Sequence, residues 1–208
     1  QKKIIKVNKD LLWKIYDIEI YSDNEIKKKI LNFHNQNNKL FCILKNNDLK
    51  KLLKKSLNKS KNFKKFKINK NHSYSKIFNN RKFQLFINCD GNNEISNKYF
   101  HKKFFKNYES TAYASIINHN KIDNRKAIQI FTKHGPLAFL PISETKTSIV
   151  YSVKDKSISN FHKLSDKEFK DLILKNNKNY KINNFNKLET FKLKSKILRN
   201  YHYNNILA

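Results

Sequence analysis

Residues 127–142 read Ala127-Ile-Gln-Ile-Phe-Thr-Lys-His-Gly-Pro-Leu-Ala-Phe-Leu-Pro-Ile142 and hold one of the two glycines and both prolines of a 208-residue chain. Glycine tolerates backbone angles closed to other residues, and proline lacks the N–H that a central strand would donate. Gly135-Pro136 therefore predicts two strand segments joined at a bulge or a kink. Pro141 ends the second segment, and residues 143–146 predict a polar turn after it. By itself this pattern indicates a corner of a sheet or barrel and no particular chemistry.

A longer stretch resembles a known family. Phe131-Thr-Lys-His-Gly-Pro-Leu-Ala-Phe-Leu-Pro-Ile-Ser143, followed by Ser148-Ile-Val-Tyr-Ser152, is similar to the signature segment of the ubiquinone-biosynthesis aromatic hydroxylases. These belong to the flavoprotein monooxygenases related to p-hydroxybenzoate hydroxylase. The resemblance implies a fold that is part α+β and part α/β. It consists of a large, mostly antiparallel substrate-domain sheet with flanking helices, together with part of a Rossmann-like FAD-binding domain.

The composition is basic but poor in arginine. The net charge is +29, from 42 lysines and three arginines, and the chain contains 32 asparagines. A basic surface is typical of proteins that bind nucleic acid or anionic membranes, whereas arginine is the residue that reads guanine and clamps phosphate. The coding bias of an AT-rich genome explains this composition more simply, so we predict no nucleic-acid partner. A basic nucleic-acid-binding or ribosomal protein stays open as the alternative.

Cysteine and histidine show no spacing typical of a metal site or a nucleophile. Cys42 and Cys89 lie far apart in strand-like apolar runs, which predicts buried thiols in a reducing compartment. The seven histidines form no triad or metal-ligand pattern, so we predict no metal site and no catalytic side chain. The sequence contains no signal-peptide pattern and no apolar span near 18 residues. It has no methionine, even at its start, and we therefore expect a fragment or a trimmed chain.

Two helices are predicted from periodicity and capping residues. Leucines recur at helical spacing after Asn46, with Asn47 or Asp48 as the N-cap. Ser165-Asp-Lys-Glu168 is a capping box that predicts a second helix. The apolar face of that second helix contains Phe169, Leu172 and Ile173.

Strands are predicted where apolar residues alternate. Segments 108–119 and 124–133 are expected to form an antiparallel hairpin, with 147–153 returning beside them. They predict one large antiparallel sheet between residues 107 and 153. The other predicted strands are 18–23, 30–33, 40–44, 63–68, 73–78, 82–88, 189–193 and 196–201, and residues 11–16 are predicted to form a short helical patch.

The turn Asp90-Gly91 follows a predicted strand and precedes a short predicted helix. It offers a carboxylate and bare backbone N–H groups where α/β sheets bind ligands, although the same dipeptide is a common plain turn. In context it resembles the Asp-Gly motif of the flavoproteins named above, which implies that Asp90, Gly91 and Asn93 bind FAD. Glu94 and Asn97 depart from the family, which usually has Ser and Arg there. An acidic Glu94 beside a pyrophosphate would be repulsive.

The resemblance assigns the chain to parts of two domains, a substrate domain and an FAD-binding domain. Residues 1–45 and 107–195 correspond to the substrate domain, and residues 46–106 correspond to the FAD-binding domain. Residues 196–208 correspond to a strand that returns into the FAD-binding domain. The family's amino-terminal Gly-x-Gly-x-x-Gly loop and its later Gly-Asp motif are not in the sequence. We therefore expect the chain to cover the middle of the family and to be inactive alone.

The activity implied by the resemblance is hydroxylation of the aromatic ring of a polyprenylated phenol in ubiquinone biosynthesis. The implied cofactors are FAD and NADPH, with molecular oxygen as the second substrate, and the flavin carries the oxygen chemistry. Because a polyprenyl substrate is nearly insoluble in water, we expect the lysine-rich surface to meet an anionic membrane. The expected location is cytoplasmic and peripheral to the inner membrane. Other ubiquinone-biosynthesis proteins are further candidate partners.

Alternation along residues 127–142 predicts which side chains share a face of the sheet. The predicted ring pocket consists of Ile128, Ile130, Pro136, Ala138 and Leu140, in which the small Ala138 leaves room beside a flat ring. The opposite face is expected to pack under the helix 165–174 with Phe131, Leu137 and Phe139. A shift of one residue at Gly135 would invert these faces, and that alternative stays open.

Two further hypotheses remain open from the sequence. Helix 48–59 with the lysine-rich segment Lys61 to Lys70 could form an arm that binds nucleic acid or a membrane surface, although its apolar face is narrow. The chain could also be a non-catalytic sheet that serves as a binding module. Such a module would show no flavin absorbance in any form of the protein.

Overall fold

The computed structural model describes residues 7–23, 29–35, 38–66, 83–157, 164–177 and 179–208. Its strands are Trp13–Ile15 (β1), Asp17–Ser22 (β2), Lys29–His34 (β3), Phe41–Ile43 (β4), Phe86–Ile87 (β5), Lys103–His119 (β6), Lys126–Thr132 (β7), Gly135–Ser143 (β8), Lys146–Lys154 (β9), Ile182–Phe185 (β10), Glu189–Leu198 (β11), His202–Tyr203 (β12) and Ile206–Leu207 (β13). Its helices are Asn46–Asn58 (α1), Glu94–Tyr99 (α2) and Asp166–Asn176 (α3). Short 3-10 helices span Lys9–Leu11 and Asp155–Ser157.

These elements group into two units. The first unit contains residues 1–61 and 109–193, and the second contains residues 62–108 and 194–208. The chain therefore passes from the first unit to the second, back to the first, and into the second again. Helix α1, which lies within the segment 46–106 that we expected in the FAD-binding domain, belongs to the first unit. The assignment of the units to substrate and cofactor binding stays a prediction.

The first unit is built on a sheet with the strand order β10-β6-β9-β8-β7-β2-β3, and β11 also pairs with β6. Neighbouring strands along this order are antiparallel except β2 and β7, which run parallel. A separate short pair joins β1 to β4. The predicted fold class, a sheet-rich mixture with a large and mostly antiparallel sheet, is confirmed.

The predicted hairpin between 108–119 and 124–133 is wrong. Strand β6 pairs with β9, and both β9 and β8 lie between β6 and β7. The physical reason is that β7, β8 and β9 are joined by tight turns at residues 133–134 and 144–145. Short connections pair neighbouring strands locally, so one edge of β7 is taken by β8 and the other by β2.

Gly135 lies at the start of a strand and not in the middle of one. The chain reverses at Lys133-His134, and Thr132 pairs with Gly135 across the two-residue turn. The predicted bulge or kink is therefore a hairpin. Gly135 has a φ of 144°, and a Cβ added to it would lie 1.9 Å from the Ser152 carbonyl oxygen on β9. Glycine is required here because both the backbone angle and the close approach of β9 exclude a side chain.

Helix α3 covers one face of the sheet, as predicted. The Ser165 side chain accepts a hydrogen bond from the Glu168 N–H (3.2 Å), and the Glu168 carboxylate accepts one from the Ser165 N–H (2.8 Å). This is the expected capping box. Phe169 and Ile173 are buried in the core, which also contains Tyr113, Ile117, Ile128, Leu137, Phe139, Ile149, Tyr151, Val153 and Tyr180.

Several local predictions in the amino-terminal part need correction. Residues 11–16 contain the end of a 3-10 helix and strand β1, not a helical patch, because Trp13 to Ile15 pair with β4. Helix α1 is capped by Lys45 without a side-chain hydrogen bond, instead of by Asn47 or Asp48. The helix therefore begins two or three residues earlier than its polar residues suggest.

The predicted strands near the unit boundary are only partly described. Residues 63–66 form no strand, and the segment 73–78 lies outside the described residues. The predicted strand 82–88 is shorter, since β5 contains only Phe86 and Ile87. Segments 189–193 and 196–201 were expected as two strands, but residues 189–198 form the single strand β11.

The second unit contains the sheet β12-β13-β5 and helix α2. Strand β13 runs parallel to β5, with Ile206 opposite Phe86 and Leu207 opposite Ile87. Cys89, which follows β5, is exposed, and Cys42 is only partly buried. The prediction of two buried thiols is therefore wrong, because β5 ends before residue 89. Across the described ranges, no helix is both long and apolar enough to cross a membrane.

Candidate functional site

The Asp-Gly turn lies in the second unit, between β5 and α2, and hydrogen bonds within it fix its shape. The Asp90 carboxylate accepts a hydrogen bond from the Asn92 N–H (2.9 Å), which closes an Asx turn. The Asp90 carbonyl accepts hydrogen bonds from the Ser96 hydroxyl (2.5 Å) and from Asn88 Nδ2 (3.2 Å). Asp90 and Gly91 are both exposed. The turn is thus braced from inside while its carboxylate and its glycine face open space.

Asn93 supports the turn from the first position before α2. Its Oδ1 accepts a hydrogen bond from the Ser96 N–H (2.9 Å), so it is the N-cap of the helix. Its Nδ2 donates to Asn88 Oδ1 (2.7 Å). Both polar ends of the Asn93 side chain therefore bind inside the protein. A direct contact between Asn93 and a cofactor stays a prediction, whereas its role in shaping the turn is evident.

Lys196 reaches the same turn from β11. Its Nζ donates a hydrogen bond to the Gly91 carbonyl oxygen (2.6 Å), across 105 positions of sequence. If Gly91 carried a Cβ, the Lys196 Nζ would lie 3.2 Å from it, and no other atom of the described residues, outside the two chain neighbours, would lie within 4 Å. Sequence reasoning missed Lys196 because nothing distinguishes it from 41 other lysines. Only the pairing of distant segments brings it to the turn.

Pro136, Ala138 and Leu140 lie on the face of the first unit's sheet opposite α3, which we call the open face. Alternate residues Leu137 and Phe139 point into the core under α3. Ala138 pairs with Val150 and Leu140 pairs with Ser148 on β9. The next strand places Ala114 opposite Val150. The open face therefore combines the apolar Pro136, Ala138, Leu140 and Val150 with the polar Gln129, opposite Ala138, and Ser148, and these side chains are only partly buried.

Ile128 and Ile130 lie on the other face, so the predicted five-residue pocket is split. In the β7–β8 hairpin Ile128 pairs with Phe139 and Ile130 pairs with Leu137. Paired residues of antiparallel strands share a face, so Ile128 and Ile130 face α3. Phe131, expected under α3, pairs with Pro136 and is 47% exposed. The error comes from the reversal at residues 133–134, which pairs even-numbered residues of β7 with odd-numbered residues of β8.

A cavity of about 110 Å³ lies on the α3 side of the sheet. Its floor is formed by Ile128, Ile130 and Phe139. Its polar lining consists of Tyr21, Ser22, Asp23, Asn176, Asn177, Asn179 and Tyr180. The volume is below the roughly 300 Å³ that is usual for ligand pockets. Ile128 and Ile130 therefore line this small cavity and not the open face.

A buried ion cluster ties together β2, β3 and β7. Glu19 is 6% exposed, and its carboxylate accepts hydrogen bonds from Lys29 (2.6 Å), Tyr21 (2.7 Å) and Lys126 (3.0 Å). Burial by itself would raise the pKa of Glu19, but these hydrogen bonds outweigh it and lower the pKa to about 2. Burial and the bond to Glu19 raise the pKa of Tyr21 to about 12. The cluster holds the edge of the sheet and was not predicted.

A second polar cluster closes the end of the core and is structural. His119 Nε2 contacts the Thr147 hydroxyl (3.0 Å), and Asn124 Nδ2 donates to the same hydroxyl oxygen (2.9 Å). The Tyr180 hydroxyl donates to Asn124 Oδ1 (3.2 Å). Every buried side-chain polar atom of the described residues has a partner. His119 is thus a satisfied core residue, as expected for the histidines.

The donor set of the Asp-Gly turn fits the nucleotide part of FAD. Asp90 offers an exposed carboxylate that can accept hydrogen bonds from sugar hydroxyls. Gly91 offers backbone without a side chain, and the space above it leads to the Lys196 ammonium. A phosphate needs such bare backbone and a cation. Asp90 and Gly91 therefore stay the predicted cofactor contacts in this unit, and Lys196 lies beside them.

Comparison with known proteins identifies similar sequences among ubiquinone biosynthesis monooxygenases. The mitochondrial ubiquinone biosynthesis monooxygenase COQ6 of Drosophila melanogaster is 29% identical over 110 residues, which is 50% of this chain and 23% of that protein. The COQ6 protein of Danio rerio is 28% identical over 92 residues, or 43% of this chain and 19% of that protein. The matched region thus spans about a fifth of each relative. No protein-family model matches the chain.

Solved structures show the same fold at very low identity. A flavoprotein/dehydrogenase from Cytophaga hutchinsonii superposes with a TM-score of 0.60 at 10% identity, covering 96% of this chain and 55% of that protein. The flavin-dependent halogenase CmlS superposes with a TM-score of 0.56 at 9% identity, covering 96% of this chain and 41% of that protein. At such identities the likeness establishes the fold alone. The chain spans about half the length of these solved structures.

Proposed function

We propose that this chain serves a FAD-dependent monooxygenase that hydroxylates the ring of a polyprenylated phenol in ubiquinone biosynthesis, because its sequence is similar to ubiquinone biosynthesis monooxygenases. The proposed cofactor is FAD, the reductant is NADPH, and molecular oxygen is the second substrate. Bound FAD supplies the oxygen chemistry after it is reduced. The residues of this chain bind and orient the cofactor and the substrate and shield them from water. No side chain of this chain is proposed as a nucleophile or a metal ligand.

The observation that carries this proposal is the Asp-Gly turn at the carboxyl end of a parallel strand pair. Strand β5 leads into Asp90-Gly91 and pairs in parallel with β13. Crevices at the carboxyl ends of parallel strands are where α/β sheets bind nucleotides. The turn is braced by Asn88 and Ser96 and presents its carboxylate outward. A cofactor site benefits from such bracing because a rigid site loses less entropy on binding.

The proposed ring pocket is now limited to the open face. Pro136, Ala138 and Leu140 form an apolar row, with Val150 on one side of Ala138 and Gln129 on the other. Apolar walls exclude water from a reacting centre, and the small side chain of Ala138 leaves space for a flat ring. Ile128 and Ile130 are no longer part of the proposed pocket, since they face α3.

Flavin retention tests the proposal directly. The intact protein is desalted, and the flavin absorbance per protein is compared between the unmutated protein and Asp90→Ala. We expect Asp90→Ala to weaken flavin binding by about tenfold, because a carboxylate hydrogen bond to a ligand is lost. Thermal unfolding should change little, since Asp90 is exposed. Undiminished flavin in a folded Asp90→Ala protein would contradict the role of this turn.

Membrane association is the second part of the proposal. A polyprenyl substrate partitions into the bilayer, and each lysine near an anionic surface contributes about 1 kcal/mol of attraction. We propose peripheral binding to an anionic membrane surface, at the cytoplasmic side of the inner membrane. Sedimentation with anionic and with neutral vesicles at low salt measures it. Protein that stays in the supernatant with anionic vesicles would argue against this, and retention on nucleic acid instead would favour the basic nucleic-acid-binding alternative.

A further inference from the structure

Lys196 carries a positive charge to the Asp-Gly turn without neutralising an acid there. Its Nζ is bound to the Gly91 carbonyl oxygen. Within the described part of the chain, Nζ forms no ion pair with a carboxylate. An ammonium has three donors, and a neutral carbonyl uses one of them. The remaining donors and the full charge therefore stay available beside the turn.

The geometry around Gly91 directs an incoming group to this ammonium. A Cβ built on Gly91 would contact Lys196 Nζ at 3.2 Å and nothing else beyond its chain neighbours within 4 Å. An atom that packs against the Gly91 α-carbon from this side consequently meets the ammonium first. Gly91 is exposed, so a ligand can reach this position without any rearrangement of the core.

The charges of the turn explain why a cation is needed there. Asp90 and Glu94 are both acidic and exposed, and together they would repel a phosphate group. The nearby Lys98 lies over the Tyr99 ring, with Nζ 5.2 Å from its centroid. Lys196 is the ammonium that the structure places in hydrogen-bond contact with the turn. Its attraction for an anion at short range offsets the repulsion from the two carboxylates.

We propose that the Lys196 ammonium binds a phosphate group of the dinucleotide at the Asp-Gly turn. This inference rests on the proposed function, because it concerns the same cofactor and the same turn. It assigns to β11, through Lys196, a role in selecting flavins that carry phosphate over those that do not. A lysine that only caps the Gly91 carbonyl would show no such selectivity.

The test compares ligands with and without phosphate on the intact protein. FAD and riboflavin are titrated by fluorescence quenching against the unmutated protein, Lys196→Gln, Lys196→Arg and Lys194→Gln. Lys194 is the matched control: it lies on the same strand, and its Nζ is 5.9 Å from the centroid of the Phe105 ring. We expect Lys196→Gln to weaken FAD binding about tenfold and to reduce its salt dependence. Riboflavin binding should change less than about twofold.

Each outcome of these titrations either supports or contradicts the proposed role of Lys196. Lys196→Arg keeps the charge and should retain FAD affinity within about threefold, and Lys194→Gln should match the unmutated protein. Unchanged FAD affinity in Lys196→Gln, together with weakened binding in Asp90→Ala, would refute the role of Lys196 and leave the proposed function intact. Equal losses for FAD and riboflavin would mean that Lys196 only shapes the turn. Failure of the unmutated protein to bind FAD would overturn both the proposed function and this inference.

Discussion

Gly135→Ala is predicted to destabilise the first unit severely. The added Cβ would lie 1.9 Å from the Ser152 carbonyl oxygen and 3.1 Å from the Ser152 carbonyl carbon. Both atoms belong to the backbone of β9, so no side-chain rotation can relieve the overlap. The φ of 144° at Gly135 is also closed to alanine without strain. Strands β8 and β9 would have to separate beside Tyr151 and Val153, which are almost fully buried.

The cost can be worked from these two effects. Backbone strain at a glycine-only conformation costs roughly 1–3 kcal/mol, and overpacking of a closely packed region costs a further 1–3 kcal/mol. The substitution should therefore lower the free energy of unfolding by about 2–6 kcal/mol. That is a large part of the roughly 5–15 kcal/mol that stabilises a typical domain. In a protein of this size it corresponds to a fall in Tm on the order of 10 °C.

Gly91→Ala is the matched control, because Gly91 is the other glycine of the chain. Its added Cβ would meet only the end of the flexible Lys196 side chain, at 3.2 Å. Alanine also restricts the unfolded chain, so the net change should stay within about 1 kcal/mol. Urea unfolding followed by far-UV circular dichroism measures both variants. A Gly135→Ala protein within 1 kcal/mol of the unmutated one would refute the contact between β8 and β9.

Three further predictions follow from local contacts. Glu19 has a pKa of about 2 in the folded protein against an ordinary 4.5. Its ionised form therefore stabilises the fold by about 3 kcal/mol above pH 4.5, and this stabilisation is lost as the pH falls toward 2. Glu19→Gln should flatten the fall in stability at acid pH, and an unchanged fall would contradict the role of the cluster. Ala138→Phe should reduce turnover while Tm stays nearly constant; a lower Tm with normal turnover would place Ala138 in the core. Ser165→Ala should cost about 1 kcal/mol by removing the N-cap of α3, measured by urea unfolding with Ser60→Ala, at an exposed serine, as the control.

The features that could be predicted from sequence are local ones. The capping box at Ser165 and the buried face of α3 depend on residues within one or two turns of helix, and both are confirmed. The end of β5 in an Asp-Gly turn followed by a helix depends on a run of about ten residues. Hydrophobic alternation also located most strands of the large sheet. These signals depend on short stretches of sequence, so they can be recognised without knowledge of the tertiary structure.

Strand pairing and the faces of the sheet depended on the tertiary structure. Alternation shows that β7 and β8 are strands but does not tell whether Lys133-His134 bends one strand or reverses it, and a one-residue change of phase exchanges the faces. For that reason Ile128 and Ile130 were predicted on the same face as Ala138 and were found on the other.

The sequence by itself determined the glycine at position 135, the Asp-Gly turn and the similarity to aromatic hydroxylases, because each is a short ordered string of distinctive residues. Only the tertiary structure decided that β9 approaches Gly135 and that Lys196 meets Gly91. These contacts join residues 17 and 105 positions apart. Their partners, a backbone carbonyl and one lysine among 42, have no distinguishing pattern in the sequence. Chain topology brings them together through the pairing of strands that the local pattern leaves undetermined.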